Sequence, residues 1–432
     1  MSKVATTYVE TLNHEGRGIA KIAGKTTFIR DALPHEEVEF VYTRRKGQFD
    51  EGQVLKILTP SPYRIPPECP HFGICGGCGL QHMSSEMQII HKQQVLLEQL
   101  KHIGSIIPEN ILPPLTAQTW HYRSKARLGV KYVEGKGKVL VGFRERNGRF
   151  IADLSSCKIL HQNVGNKIAA LSEMIMQLEC RSSLPQIEIA VADNATALVF
   201  RHLQSLSAQD IQLLITFGQH HHFWIYLQPK DPDSVYQLYP QSNESLYYSL
   251  KDHNLKLQFE PLDFTQVNQL LNQKMVNLAV KLLELNSTDI VLDLFCGLGN
   301  FSLPIALKSK LVIGIEGHQK TVERAKHNAK INNITNAEFF SANLAEDFNH
   351  LPWTKQKYNK ILLDPPRIGA IKVIENIVQF NAEKIVYVSC NTATFARDAK
   401  ILIQHGYKLR QAGIMDMFPH TNHTESIGVF VI

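Results

Sequence analysis

Apolar and polar positions alternate over three short runs near the N-terminus, TTFIR, EVEFVYTRR and GQVLKIL, all rich in β-branched and aromatic residues. That pattern predicts strands, and Asp31 to Pro34 and Lys46-Gly47 supply the turns between them. Closing such a sheet hides its edges, so residues 1–60 are expected to form a small β-barrel. The Pro-rich stretch from Thr59 to Pro67 reads as a linker. A helix is predicted from Ser85 to Ile103, with Ile89, Leu96, Leu100 and Ile103 on one stripe and Ser85 with Gln88 as a capping box. Between about residues 113 and 258 the runs ARLGVKYV, IEIAVA, ALVFRH and FWIYLQ predict strands, with one helix through VGNKIAALSEMIMQL. The tract His220, His221 and His222 is placed on a surface loop, because three adjacent residues cannot share one face.

After Glu260 the texture changes. A helix over TQVNQLLNQKMVNLAVKLLEL carries Val267, Leu271, Met275, Leu278 and Leu282 on one face. Then DIVLDLF, LVIGIE, EFFSA, KILLD and KIVYVS read as buried strands, with helices near TVERAKHNAKIN and KVIENIVQF. Repeated strand–helix alternation predicts a doubly wound α/β fold with a parallel sheet.

At 432 residues the chain is long enough for roughly three domains. Hydrophobic residues make up 44% and charged residues 20%, which excludes a disordered or fibrous chain. No apolar run approaches the roughly 20 residues needed to cross a bilayer, so no membrane role is expected. The net charge is only +6, yet residues 120–150 hold nine Lys or Arg against Glu134 and Glu145. Interleaved with Trp120, Tyr122, Tyr132 and Phe143, these cations suit phosphate contact and base stacking. The start MSKVATTYVE lacks a secretory pattern, and seven cysteines is an odd count. A reducing, cytoplasmic setting is therefore expected, with the cysteines free for chemistry or packing.

Three of them, Cys69, Cys75 and Cys78, lie in the glycine-rich segment ECPHFGICGGCGL, and Cys157 is a candidate fourth ligand. Four thiolates suit zinc and an iron–sulfur cluster alike, and the spacing leaves both open. In the C-terminal part, DLFCGLGNF ends a buried strand in a Gly-x-Gly turn, and Glu316 closes the next strand. Glycines there let a ligand approach the backbone, and a carboxylate one strand–helix unit later can bind a ribose. The turn has Ser302 where a dinucleotide site would carry a third glycine, which favours an adenosine-type cofactor. LLDPPR puts Asp364 and Arg367 at the tip of the fourth strand, and SCN puts the Cys390 thiol at the end of the fifth.

DLFCGLGNF, LLDPPR, SCNTATFARD and the tail MFPHTNHTES together resemble the S-adenosylmethionine-dependent RNA uracil-C5 methyltransferases. Thr392 stands where that family usually has proline. The resemblance implies a Rossmann-like class I methyltransferase domain over 261–432, a central α+β iron–sulfur domain over 61–260, and an N-terminal OB-like (TRAM-like) barrel over 1–60. It implies that Cys390 is the nucleophile and Glu425 the base, and that Gln266, Phe295, Asn300, Glu316, Asn343 and Asp364 bind S-adenosylmethionine. Arg123, Lys125, Arg127 and Arg367 are the expected RNA contacts. Cytosine-specific relatives bring a second cysteine near the fourth-strand motif; LLDPPRIG has none, which favours uracil. Ribosomal members of the family carry a [4Fe–4S] cluster on this cysteine pattern, and the whole architecture resembles the branch acting on 23S ribosomal RNA, as a monomer. The alternatives are uracil methylation of transfer RNA or of another 23S site, and a non-catalytic RNA-binding assembly factor.

Overall fold

The computed structural model describes residues 4–432. Its first sheet has six strands, in spatial order Val4–Tyr8, Glu37–Arg45, Phe49–Thr59, Lys25–Arg30, Gly18–Ile22 and Thr11–Leu12. The chain beyond the first strand returns to the far side of this sheet, where the Glu10 N–H donates to the Ile19 carbonyl at 2.9 Å. The alternating pattern buries Ala20, Ile29, Val38 and Phe40 inside the curl with Val9.

A second six-stranded sheet runs in the order Tyr236–Tyr239, Phe223–Gln228, Thr196–Arg201, Gln186–Val191, Lys125–Val133 and Lys138–Gly142. Helices Ile168–Gln177 and Ala208–His221 pack with it through Ile175, Leu214 and Phe217. The second helix corrects the reading of the histidine tract: His220 and His221 form its last turn, and His222 caps it with a positive φ of 57°. The hairpin Leu246–Leu250 and Leu255–Phe259, assigned from sequence to the central segment, buries Tyr248, Leu257 and Phe259 in one core with Leu271 and Met275 of the helix Gln269–Leu283. Its apolar face thus belongs with the C-terminal part of the chain.

The third sheet has eight strands. Ala337–Ser341, Leu311–Glu316, Ile290–Leu294, Lys360–Leu363 and Lys384–Ser389 are parallel in that spatial order. The expectation of a purely parallel sheet is corrected at its edge, where Glu425–Val431 and Lys408–Met415 form an antiparallel hairpin. Asn110–Ile111 extends that edge. From Ala412 to Met415 and from Glu425 to Phe430 the hairpin is buried at every position, so it reads from sequence like any other buried run. The strand order reverses between Ile290–Leu294 and Lys360–Leu363, and the crevice beyond their carboxyl ends is where such sheets bind ligands.

The helix from Ser85 ends at Gln99 and continues as a wider turn through Gly104. Ser84, not Ser85, is its N-cap, with Oγ accepting from the Met87 N–H. Leu96 and Leu100 pack into the core of the third sheet beside Phe395 and Tyr387, whereas Ile103 is exposed. Among the described residues no helix is long and apolar enough to cross a membrane.

Candidate active site

The carboxyl ends of the parallel strands open into a cleft of about 1670 Å³. Gly297 and Gly299 both have positive φ, 53° and 92°, which side chains other than glycine rarely adopt. A Cβ on Gly297 would meet nothing within 4 Å, so the turn presents bare backbone to the cleft. Phe295, just before it, also has a positive φ of 66° and lines the cleft.

Glu316 is fixed over this turn. Its Oε2 accepts from the Gly297 N–H at 3.2 Å, and its Oε1 from the Gly317 and His318 N–H groups at 2.7 and 3.3 Å. Asp293 lies beneath, fully buried, accepting from the Ser302 hydroxyl while its Oδ1 finds no partner. Burial pushes its carboxyl up to about 7. It braces the turn from inside, while Glu316 faces the ligand space. Gln266, Asn343 and Asp364 line the same cleft. This donor set fits an adenosine-type cofactor: a rigid carboxylate for a diol, open backbone at the glycine turn and amides along the wall.

Asn300 differs from expectation. Its Oδ1 accepts from Tyr248 Oη at 3.0 Å and from Asn272 Nδ2 at 2.9 Å, and its Nδ2 donates to Asn272 Oδ1 at 2.9 Å. The amide ties the glycine turn to the preceding helix and does not reach the cleft.

Cys390 and Glu425 come together by strand register. Ser389 pairs with Ser426 across the antiparallel edge, so the next position toward the rim sets Cys390 beside Glu425. Both line the cleft with Asp364 and Arg367. Burial pushes the Cys390 thiol up to about 12, with Glu425 and Asp364 adding and Arg367 opposing. Burial likewise pushes Glu425 up to about 8, with the Asp364 charge adding and Arg367 and Lys92 opposing. Asp364 itself is raised to about 7 by burial. Two carboxyls and a thiol sharing one dry pocket favour their neutral forms.

Thr392 turns out to occupy the first residue of the helix Thr392–Gln404, a position where proline is favoured but not required. Asn391 caps that helix, its side chain accepting from the Ala393 and Thr394 N–H groups at 3.0 and 3.4 Å. The cap holds Cys390 at the rim with threonine in place of proline.

The basic stretch is less free than its composition implies. Arg127 pairs with Glu188, Lys138 with Asp153 and Arg146 with Asp31. Lys125 donates to the Pro261 carbonyl, and burial lowers it to about 8. Arg123 donates to the Lys125 carbonyl at 3.0 Å. Of the four expected RNA contacts, only Arg367 lines the cleft, where it meets His423 Nδ1 at 2.8 Å.

Cys69, Cys75, Cys78 and Cys157 are free thiols lining one small pocket. Among the described residues no three His, Cys, Asp or Glu side chains form a group that would hold a metal ion. Sequence reading missed Phe264 and Phe418, which also line the main cleft; Phe264 is 77% exposed and sits two residues before Gln266, a signal that was available.

Fold and site match those of an S-adenosylmethionine-dependent methyltransferase with a mixed α/β fold. The profile of the tRNA (uracil-5-)-methyltransferase family matches residues 118–432, and the chain belongs to that family. It is 53% identical over 429 residues, 98% of this chain and 95% of the relative, to a Francisella tularensis subsp. novicida protein named 23S rRNA (uracil(1939)-C(5))-methyltransferase RlmD. Proteins of the same name from Alcanivorax borkumensis and Legionella pneumophila are 51% and 50% identical, over 98% of this chain and 95% and 96% of theirs. The crystal structure of Pyrococcus abyssi tRNA (uracil-54, C5)-methyltransferase in complex with S-adenosyl-L-homocysteine has the same fold, with a TM-score of 0.75 at 23% identity over 99% of both chains.

Proposed function

We propose that this enzyme methylates carbon 5 of a uracil in 23S ribosomal RNA, the position numbered 1939 in the names of its relatives, with S-adenosylmethionine as methyl donor. The observation that carries the chemistry is the register that sets Cys390 beside Glu425 in the cleft beneath the glycine turn. About half identity over nearly the full chain to proteins named for that RNA supports the substrate.

Carbon 5 of uracil is a weak nucleophile. The Cys390 thiol, neutral at rest, gives its proton to the Asp364 carboxylate in the same pocket as its sulfur adds to carbon 6; the C–S bond forms and the ring electrons move toward carbon 5 and the adjacent carbonyl. Carbon 5 then takes the methyl group that a bound S-adenosylmethionine would supply, the S–CH3 bond breaking to leave a neutral thioether. Glu425 then accepts the carbon-5 proton, the C–S bond breaks, and the double bond returns with Cys390 as leaving thiolate. Arg367, beside both residues, offsets negative charge on the ring carbonyl. Asp364 orients the uracil or the cofactor amine. A target base inside folded RNA must leave its stack to reach the cleft.

The first-sheet barrel is assigned as the TRAM-like RNA-binding module, and the surface cations Lys131, Lys136, Arg144 and Arg149 join Arg123 and Arg367 in holding phosphates. The division at residues 1–60, 61–260 and 261–432 stands as the working domain scheme, with the hairpin Leu246–Phe259 moved to the catalytic core. The test is in vitro methylation by the purified protein, paired with mapping of 5-methyluridine in a deletion strain. Loss of the modification from 23S RNA is expected. Loss from transfer RNA instead would overturn the substrate assignment.

Cys69, Cys75, Cys78 and Cys157 are assigned as ligands of a [4Fe–4S] cluster. The support is that all four thiols are free and line one pocket, where each would become a thiolate ligand on binding, although among the described residues no three of them stand in a ready metal-holding group. Protein purified without oxygen should contain about four iron and four sulfide per chain, and Cys78→Ser should lower both. One zinc per chain and no sulfide would overturn the assignment.

A further inference from the structure

The helix Ser85–Gln99 buries two polar side chains that an apolar core does not need. Gln88 and Lys92 lie four residues apart, hence on one face, and are only 2% and 1% exposed. A buried ammonium is costly unless paired and hydrogen-bonded. Lys92 Nζ donates to Asp416 Oδ1 at 2.6 Å and to the Phe418 carbonyl at 3.0 Å. Gln88 Oε1 accepts from the His420 N–H at 2.9 Å, while its Nε2 donates to the Met83 carbonyl at 2.8 Å.

All three tail partners lie in the nine-residue loop 416–424. That loop joins the strands Lys408–Met415 and Glu425–Val431, so it delivers Glu425 to the cleft. Other segments grip it as well: Tyr122 Oη donates to the Pro419 carbonyl at 3.0 Å, and the Trp120 ring stacks on His420 at 3.9 Å. Gln88 and Lys92 do not line the cleft, so whatever they contribute passes through the loop.

We propose that Gln88 and Lys92 are positioning residues for methyl transfer, clamping the 416–424 loop so that Glu425 faces Cys390 when the carbon-5 proton must leave. The proposal rests on the reading of Glu425 as the base. The Lys92 charge also acts on that carboxyl. Glu425 faces Asp364, Arg367, Lys92 and Cys390, with His423 held against Arg367; Lys92 faces Asp416 as well as Glu425. Of these, Arg367 and Lys92 favour the ionised carboxylate, so removing the Lys92 charge pushes Glu425 further above about 8. A base works when ionised, and the acid limb of the rate profile should then move to higher pH.

The test compares full-length Lys92→Met, Lys92→Arg and the double variant Lys92→Met with Asp416→Asn, which leaves no orphan buried charge. Natural 23S RNA and S-adenosylmethionine are the substrates, and melting is followed in parallel. In the double variant kcat should fall about tenfold or more with RNA KM little changed, and the acid limb should shift upward. A denaturant-stable protein–RNA adduct should accumulate on unmodified RNA, because the elimination step is the one impaired. Lys92→Arg should restore the profile. A folded double variant with the original pH profile and no adduct overturns the proposal, as does a loss of rate shared equally by kcat and KM. Glu425→Gln is the control: if it turns over normally without adduct, the base lies elsewhere and the reading beneath the proposal fails instead.

Discussion

Replacing Cys390 by alanine is expected to end methyl transfer and to remove every covalent link between protein and RNA. The rate should fall roughly 10⁴-fold or more, because without the C–S bond carbon 5 has no electron density to offer. The loss should be confined to chemistry. Cys390 lies one residue before the Asn391 cap, and the cap hydrogen bonds to Ala393 and Thr394 do not involve the thiol. Cofactor affinity and melting should therefore stay near those of the unmodified enzyme. RNA substituted with 5-fluorouracil is the sharpest probe, since fluorine at carbon 5 blocks elimination and traps the adduct. Incubation with S-adenosylmethionine and denaturing electrophoresis should give a retarded band with the parent enzyme and none with Cys390→Ala. A band that persists in Cys390→Ala would remove Cys390 as nucleophile. Cys390→Ser should behave like alanine, as a hydroxyl is a far weaker nucleophile near neutral pH.

The geometry behind that expectation was partly written in the sequence. Short apolar runs ending in glycine or acid marked the parallel strands, and LVIGIE, KIVYVS and FWIYLQ coincide with observed strands. The strand-end rule then placed Glu316, Asp364 and Cys390 on one rim, the resemblance added Phe295, and the cleft contains all four. What failed was of another kind. The antiparallel edge hairpin is buried on both faces and carries no alternation to reveal its direction. Helix Ala208–His221 carries Ile211, Leu214 and Phe217 at helical spacing, but its end runs into the histidine tract that was read as a loop. Asn300 sits inside the right motif, yet its amide is taken by Tyr248 and Asn272, a choice made by packing across elements. Lys92 and Gln88 were invisible because their partners Asp416 and His420 lie 324 and 332 residues further along. Local charge misled for the same reason: Arg127, Lys138 and Arg146 looked free only until folding brought Glu188, Asp153 and Asp31 against them.

Glu425→Gln should separate the two halves of the reaction. Glutamine keeps the shape of the side chain but cannot accept a proton, so addition and methyl transfer can proceed while elimination stalls. A methylated adduct should then build up on ordinary RNA, and turnover should fall by about 10²- to 10⁴-fold. The same substitution has an opposite effect on stability, with a sign fixed by linkage. Burial raises the folded carboxyl to about 8, above its unfolded value, so the folded state binds the proton more tightly. That contribution to stability is complete below the unfolded value and is lost as pH rises through about 8. An uncharged glutamine loses nothing over this range. The variant should therefore melt at a temperature similar to the parent at acid pH and above it at pH 9, by an amount on the order of 1 kcal/mol or more in stability. Thermal melts at the two pH values, read beside adduct formation, check both effects on one preparation. Parallel melting curves at both pH values would mean that Glu425 is solvated and ordinary, and an ordinary surface carboxylate would have no reason to accumulate an adduct when replaced. On the proposed reading of Glu425 as the base, its carboxyl is held near its own ionisation at a cost to the fold, and the proposed clamp of Lys92 on the loop 416–424 would keep it in place there.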